Sequence, residues 1–300
     1  MTRAALAPSG RHVYRPTGSP REAAEWSPRR RLVVNLRAIL GRAYPRLIGA
    51  AREPSWVLFE ILLPFLTMSA FVFVYRALRA PEEFIGFVVL GGAMTAFWLN
   101  VMWLMAGQLW WDRDAGNLPL YMTAPVSLMS ILLGMALGGI GMTLTRAAVI
   151  LGIGAWLYGV RFSVEQWGLL GAVFVLTMAA LYGLGMTLSS LFLLWGREAW
   201  HLTRLAEEPV YFVSGLNFPV GRLGFLGALA VATIPLAVGL DAMRQLAFSG
   251  GIASFGTPPP GVEALILLGM SIVFIVLARL FLGTIERIAR REGRLTSRAE

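Results

Sequence analysis

Apolar residues along this chain fall into long blocks separated by short polar breaks. A helix needs about 20 apolar residues to cross about 30 Å of hydrocarbon. The blocks 56–78, 84–108, 128–158, 167–195 and 262–283 all meet that length. Glu60 and Pro64 lie inside the first, and Arg146 in the outer half of the third. Between 196 and 261 the pattern breaks. Segment 199–218 is half apolar and holds Arg204, Glu207, Glu208 and Pro209, whereas 223–240 is apolar but short and interrupted by Pro235. One of the two is expected to cross, and the other to be re-entrant or to lie at the outer face.

Residues 29–52 follow a different rule. At about 100° per residue, Leu32, Leu36, Ile39, Leu40, Ala43 and Leu47 form one stripe. Arg30, Arg31, Arg37, Arg42, Arg46 and Arg52 fall on the other side. This predicts an amphipathic helix lying in the headgroup layer with Arg towards phosphates, kinked at Pro45. Residues 1–28, with Pro8, Pro16, Pro20 and Pro28 and no apolar core, predict a disordered cytoplasmic tail and not a signal peptide.

Composition agrees with the blocks. The chain is 57% hydrophobic and 14% charged, against about 25% charged in soluble domains. With no cysteine, disulfides and thiolate metal sites are excluded, and His12 and His201 are too far apart in sequence to suggest a metal site. All 26 basic residues are Arg, and the net charge is +9. A Walker A loop, which needs a Lys on the phosphates, is therefore excluded, as is a Lys Schiff base. Eleven Arg lie in 1–54 and five in 284–300, so 16 of the 26 flank the outermost blocks. The positive-inside rule then places both termini in the cytoplasm of a cell (inner) membrane, with an even number of spans. The basic excess follows topology and gives no nucleic-acid signal.

The expected fold class is an all-α integral membrane protein with six transmembrane helices, an N-terminal amphipathic interfacial helix and a re-entrant segment before the last span. Its plan is a tail over 1–28, the interfacial helix over 29–52, the membrane domain over 53–285 and a basic cytoplasmic tail over 286–300. Segments 109–127 and 196–203 should face the cytoplasm; 79–83, 159–166 and 219–261 should lie at, or re-enter from, the outer face. Gly134 and Gly138 form a G-x-x-x-G, followed by Gly139, Gly141, Gly152 and Gly154, and predict close helix packing.

The loop "LWWDRDAGNLPLYMTAPVS", 109–127, is the most informative polar break. Trp110 and Trp111 suit a membrane edge, and Asp112, Arg113 and Asp114 precede Gly116 and the apolar Leu118, Leu120, Tyr121 and Met122. A plain connector would leave those apolar side chains in water, so they suggest a partner surface. Two carboxylates alone make a poor magnesium site, which weighs against metal–diphosphate chemistry.

The order of segments resembles the membrane subunit of a type-2 ATP-binding-cassette exporter, over about residues 29–290. Three stretches carry the resemblance. They are Asp112 or Asp114, Gly116, Leu118 and Ala124-Pro125-Val126-Ser127 in the loop; "SGLNFPVGRL" at 214–223; and "IPLAVGLDAMRQLAF" at 234–248. The resemblance implies a permease that forms the path for a drug, lipid or glycan. Its partners would be a second permease subunit, identical or paralogous, membrane lipids, and cytoplasmic ATPases that carry the ATP and Mg. This chain itself would be no enzyme and hold no cofactor. Asp112, Arg113, Asp114, Gly116, Leu118, Tyr121, Met122 and Pro125 would form the ATPase-coupling loop, with 112–122 as one short helix. Ser214, Gly215, Phe218, Pro219, Pro235, Asp241 and Arg244 would form the outer gate.

Inside the membrane, Arg146 either lines the path or snorkels to the outer headgroups. Glu60 is expected to pair with basic groups of the amphipathic helix, the alternative being a proton relay. Asp241 and Arg244, three apart, are placed to pair on one helix face or to form a surface ion pair of little consequence. The competing class is a secondary transporter or channel, which usually buries ionisable residues in several spans and repeats its halves; no such duplication shows in the pattern.

Overall fold

The structure is a computed structural model, and it describes residues 26–195, 201, 205, 207, 210–220, 224, 231–248 and 258–292. Among the described residues every regular element is helical. Helix α1 spans Pro28–Arg52, α2 Pro54–Ala77 and α3 Glu83–Leu99. The third helix continues through a π-helical turn, Asn100–Ala106, into α4, Gln108–Asp114. Then follow α5 (Leu118–Thr123), α6 (Leu128–Tyr158), α7 (Trp167–Trp195), α8 (Pro235–Ala247) and α9 (Pro260–Glu292).

Local chemistry sets the ends. The Ser27 hydroxyl caps α1 by accepting from the Arg30 amide at 3.4 Å, and Pro28 fills the first turn. Ser127 caps α6 in the same way through the Ser130 amide at 3.2 Å, and Gly159, with φ +74°, closes its other end. Pro45 and Pro64 are accommodated inside α1 and α2.

Among the described residues, five helices are long and apolar enough to cross a bilayer: α2, α3 taken through α4, α6, α7 and α9. The protein is therefore membrane-embedded and multi-pass. The expected sixth span falls on 199–218 or 223–240; residues 199, 200, 202–204, 206, 208 and 209 of the one and 223 and 225–230 of the other lie outside the described residues, as do tail residues 1–25 and 293–300. Helix α8, with 13 residues, reaches only about 20 Å, too short to cross, and is buried along nearly its whole length.

Helix α3 is the hub. Residues 85–98 are buried on every side, so no polar face survives in its sequence. Helices α2, α6 and α8 pack around it, while α7 carries α9 along its length. Hydroxyls within these apolar helices bond to the preceding turn, as Thr95 does to the Gly91 carbonyl at 3.0 Å, which removes the cost of an unpaired donor.

The G-x-x-x-G does bring helices together, but its partner is α1 and not another span. A Cβ on Gly134 would lie 2.5 Å from the Ile39 carbonyl oxygen, and one on Gly138 would lie 2.9 Å from that of Ala43. Helix α1 thus runs along α6 with Asn35, Ile39, Arg42, Ala43 and Arg46 turned towards the protein. Leu32, Leu36, Leu40, Tyr44 and Leu47 stay exposed on the neighbouring face.

Candidate functional site

The 109–127 loop is ordered by its own residues. It forms two short helices, not the single one expected over 112–122, because Gly116 turns at φ +74° in open space and Pro119 starts the next helix. Asp112 is buried and accepts from Arg42 Nη2 at 3.1 Å with each carboxylate oxygen. One turn away on α1, Arg46 Nη1 donates to Gln108 Oε1 at 3.1 Å. Tyr121 lies under the Arg42 guanidinium, 5.6 Å from ring centre to Cζ. Burial, then the Asp112 carboxylate, pushes the Tyr121 phenol up to about 12, so it stays protonated at neutral pH. At the loop's far end, Ser127 N donates to Asn35 Oδ1 at 3.3 Å, and Leu128 N donates to Glu286 Oε1 at 3.1 Å. The loop is thereby pinned to α1 and to the end of α9.

This order corrects two expectations. Leu118 is fully buried in the chain's own core and offers nothing to a partner. Asp112 spends its charge on Arg42. Arg113, Tyr121, Met122 and Pro125 are half-buried. The exposed surface consists of Trp111, Asp114, Ala115, Gly116, Leu120 and Thr123, with Leu120 64% and Trp111 46% exposed.

Glu60 and Arg146 pair with each other, α2 to α6, and not with the amphipathic helix or the outer headgroups. The Arg146 side chain is 4% exposed, and its Nη2 has no hydrogen-bond partner. It faces a cavity of about 390 Å³ that also takes in Arg42, Arg46, Gln108 and, at an exposed rim, Glu53. Trp56 and Leu104 form part of its wall and are shared with a second cavity of about 560 Å³. That one is lined by Phe59, Leu63, Trp103 and Trp111, and by the acids Glu60 and Glu207. Trp103 Nε1 donates to Glu207 Oε1 at 2.7 Å. Deeper in the bundle, Tyr182 donates from its hydroxyl to Asn100 Oδ1 at 2.9 Å, at the start of the π-helical turn.

At the other end, the proposed gate residues do converge. Arg244 of α8 is 1% exposed and donates to the carbonyls of Gly215 at 2.7 Å, Phe87 at 2.8 Å and Leu216 at 3.1 Å. Its guanidinium also lies over the Phe87 ring. Gly215 turns at φ +78°, and Ser214 is buried beside it while Phe218 and Pro219 are half-buried. Asp241 is fully buried and accepts from Gln245 Nε2 at 3.2 Å; the same nitrogen reaches Glu263 Oε2 at 3.0 Å. Pro235 opens α8 at its first turn.

Gln108, Asn100 and Tyr182 escaped sequence reasoning, and Arg42 and Arg46, expected to face phosphates, bond to Asp112 and Gln108 instead. A signal existed for the two arginines: Arg42 and Arg46 stand one turn apart, flanking the small Ala43 that lets α1 approach α6 closely. Compared with known proteins, the chain matches no family model and no curated protein. Among the described residues there is no cluster of His, Cys, Asp or Glu able to hold a metal.

Proposed function

We propose that this chain is the permease subunit of an ATP-driven exporter and forms the path for a hydrophobic or amphipathic substrate. The observation that carries this reading is the loop between α3 and α6. It is a rigid, doubly pinned element joining two spans, yet it leaves Asp114, Leu120 and Trp111 on its surface. An isolated connector has no need of exposed apolar side chains on an ordered scaffold. A push on it would be carried directly into α3 and α6. The chain has no Lys for a P-loop, so the energy would come from a separate ATPase, with its ATP and Mg, docked on that surface.

In this reading α1 lies at the inner membrane surface with Leu32, Leu36 and Leu40 in the headgroup layer, α8 is the re-entrant piece at the outer face, and a second permease copy or paralogue completes the path. A transporter not coupled to ATP is the alternative, favoured by the buried Glu60–Arg146 pair. Co-expression with a candidate ATPase chain separates the two. Leu120→Asp should leave the chain folded and abolish ATP-dependent export. Export of the same substrate at the parental rate by Leu120→Asp, or by the permease alone, would contradict the proposal.

A further inference from the structure

The cavity between α1, α2, α4 and α6 is marked by its charge. Three guanidinium groups, Arg42, Arg46 and Arg146, line it together. Two have acidic partners outside the cavity wall: Asp112 for Arg42 and Glu60 for Arg146. Arg46 has only the neutral Gln108. Burial, with Arg42 and Arg146 adding to it and Tyr182 and Asp112 opposing it, draws the Arg46 pKa downwards. The cavity thus holds Arg46, whose hydrogen-bond partner is neutral, and Arg146, a side chain 4% exposed whose Nη2 has no hydrogen-bond partner, against one acid, Glu53, at the exposed rim. Three like charges around one partly enclosed cavity favour an anion that joins them.

The second cavity explains what the anion is attached to. It shares Trp56 and Leu104 with the first and is walled by Phe59, Leu63, Trp103 and Trp111, with Glu60 and Glu207 as its acids. Its surface is largely aromatic and aliphatic, suited to a chain and not to a headgroup. If exposed Trp156 marks a membrane–water boundary, Arg146 lies about 15 Å further along α6, near the middle of the bilayer. An anion there needs an apolar carrier to arrive.

We infer that these two cavities form one binding site for an anionic amphiphile, its phosphate-type headgroup between Arg46 and Arg146 and its apolar chain among Trp56, Leu63 and Trp103. The inference rests on the permease reading and narrows its substrate class. Its test uses the permease without any ATPase, so binding can fail while coupling stands.

The measurement is the thermal unfolding midpoint of the full chain in a neutral maltoside detergent. The probes are dihexanoyl phosphatidylglycerol, dihexanoyl phosphatidylcholine and inorganic phosphate, each below micelle-forming concentration. Only the anionic lipid should raise the midpoint saturably. Arg46→Gln should start at or above the parental midpoint, because it removes a half-buried cation that shares its cavity with two others. Its affinity for the anionic lipid should be about tenfold lower or worse, the worth of one charge-assisted hydrogen bond. Arg46→Lys should retain most of the binding, as should Arg37→Gln, which removes an equal charge from the exposed face of α1. An equal shift with phosphatidylcholine would overturn the inference, since charge would then be irrelevant. An equal shift with phosphate alone would overturn the amphiphile, leaving a plain anion site. A lowered starting midpoint in Arg46→Gln with unchanged lipid affinity would assign Arg46 a structural role and sink the proposal.

Discussion

Arg244 and Arg146 are both buried cations of the same bundle, and they are held in opposite ways. Arg244, at the end where α3 begins, is fixed by the carbonyls of Phe87, Gly215 and Leu216 and ties three segments into one unit. Arg146, in the middle stretch of α6, has one acidic partner, an Nη2 without a hydrogen-bond partner and a cavity that it lines with Arg42 and Arg46. The first arrangement leaves no room for a ligand. The second leaves both room and unspent hydrogen-bonding capacity. The contrast teaches that burial of a charge does not mark a functional site by itself; what matters is whether fixed protein groups already satisfy it.

That contrast can be broken most severely at Arg244. Arg244→Met removes the donor for three buried carbonyls, at about 1 kcal/mol or more for each. The variant should lose most of its folded yield, read by size-exclusion chromatography of a fluorescent fusion. Normal yield and midpoint would show that α8 is not held by this residue. Next in size is Arg146→Gln, which strands Glu60 in the bundle at about 3 kcal/mol. Adding Glu60→Gln should recover a large part of the lost midpoint, because the double variant leaves no orphan charge; a double variant no better than the single would argue that the pair is not formed. Gly138→Leu should follow, since its side chain would meet the α1 backbone at Ala43. It should raise protease cleavage within 29–52 while the spans stay folded. The smallest effect belongs to Asp112→Asn. The Arg42 side chain is 32% exposed, so losing this ion pair should cost about 1 kcal/mol, seen as a small midpoint shift and faster cleavage in 112–122.

Much of the helical plan is written in the sequence, because hydropathy and proline fix it. The third and fourth blocks, 128–158 and 167–195, coincide with α6 and α7, whose ends are set by Ser127, Gly159 and polar loops. The π-helical turn at Asn100–Ala106 leaves no hydropathy trace, since a change of hydrogen-bond register alters no residue's polarity. Pairings are harder still. Glu60 meets Arg146, and Arg42 meets Asp112, across separations that no local spacing rule reaches. Leu118 and Leu120 illustrate the same limit within three residues: both are apolar in a short loop, but the turn at Gly116 and Pro119 sends one into the core and leaves the other outside.

That pair of leucines also gives the most direct test of the central claim, that a separate ATPase drives this chain through the 109–127 loop. The chain has no cysteine, so Leu118→Cys and Leu120→Cys each introduce a single thiol. Crosslinking the co-purified assembly with a short thiol-to-amine reagent should join position 120 to the ATPase and leave position 118 unreacted. ATP-dependent export should stop in proportion to the crosslinked fraction. Absence of any ATPase adduct at 120, or adducts that leave export unchanged, would contradict the account.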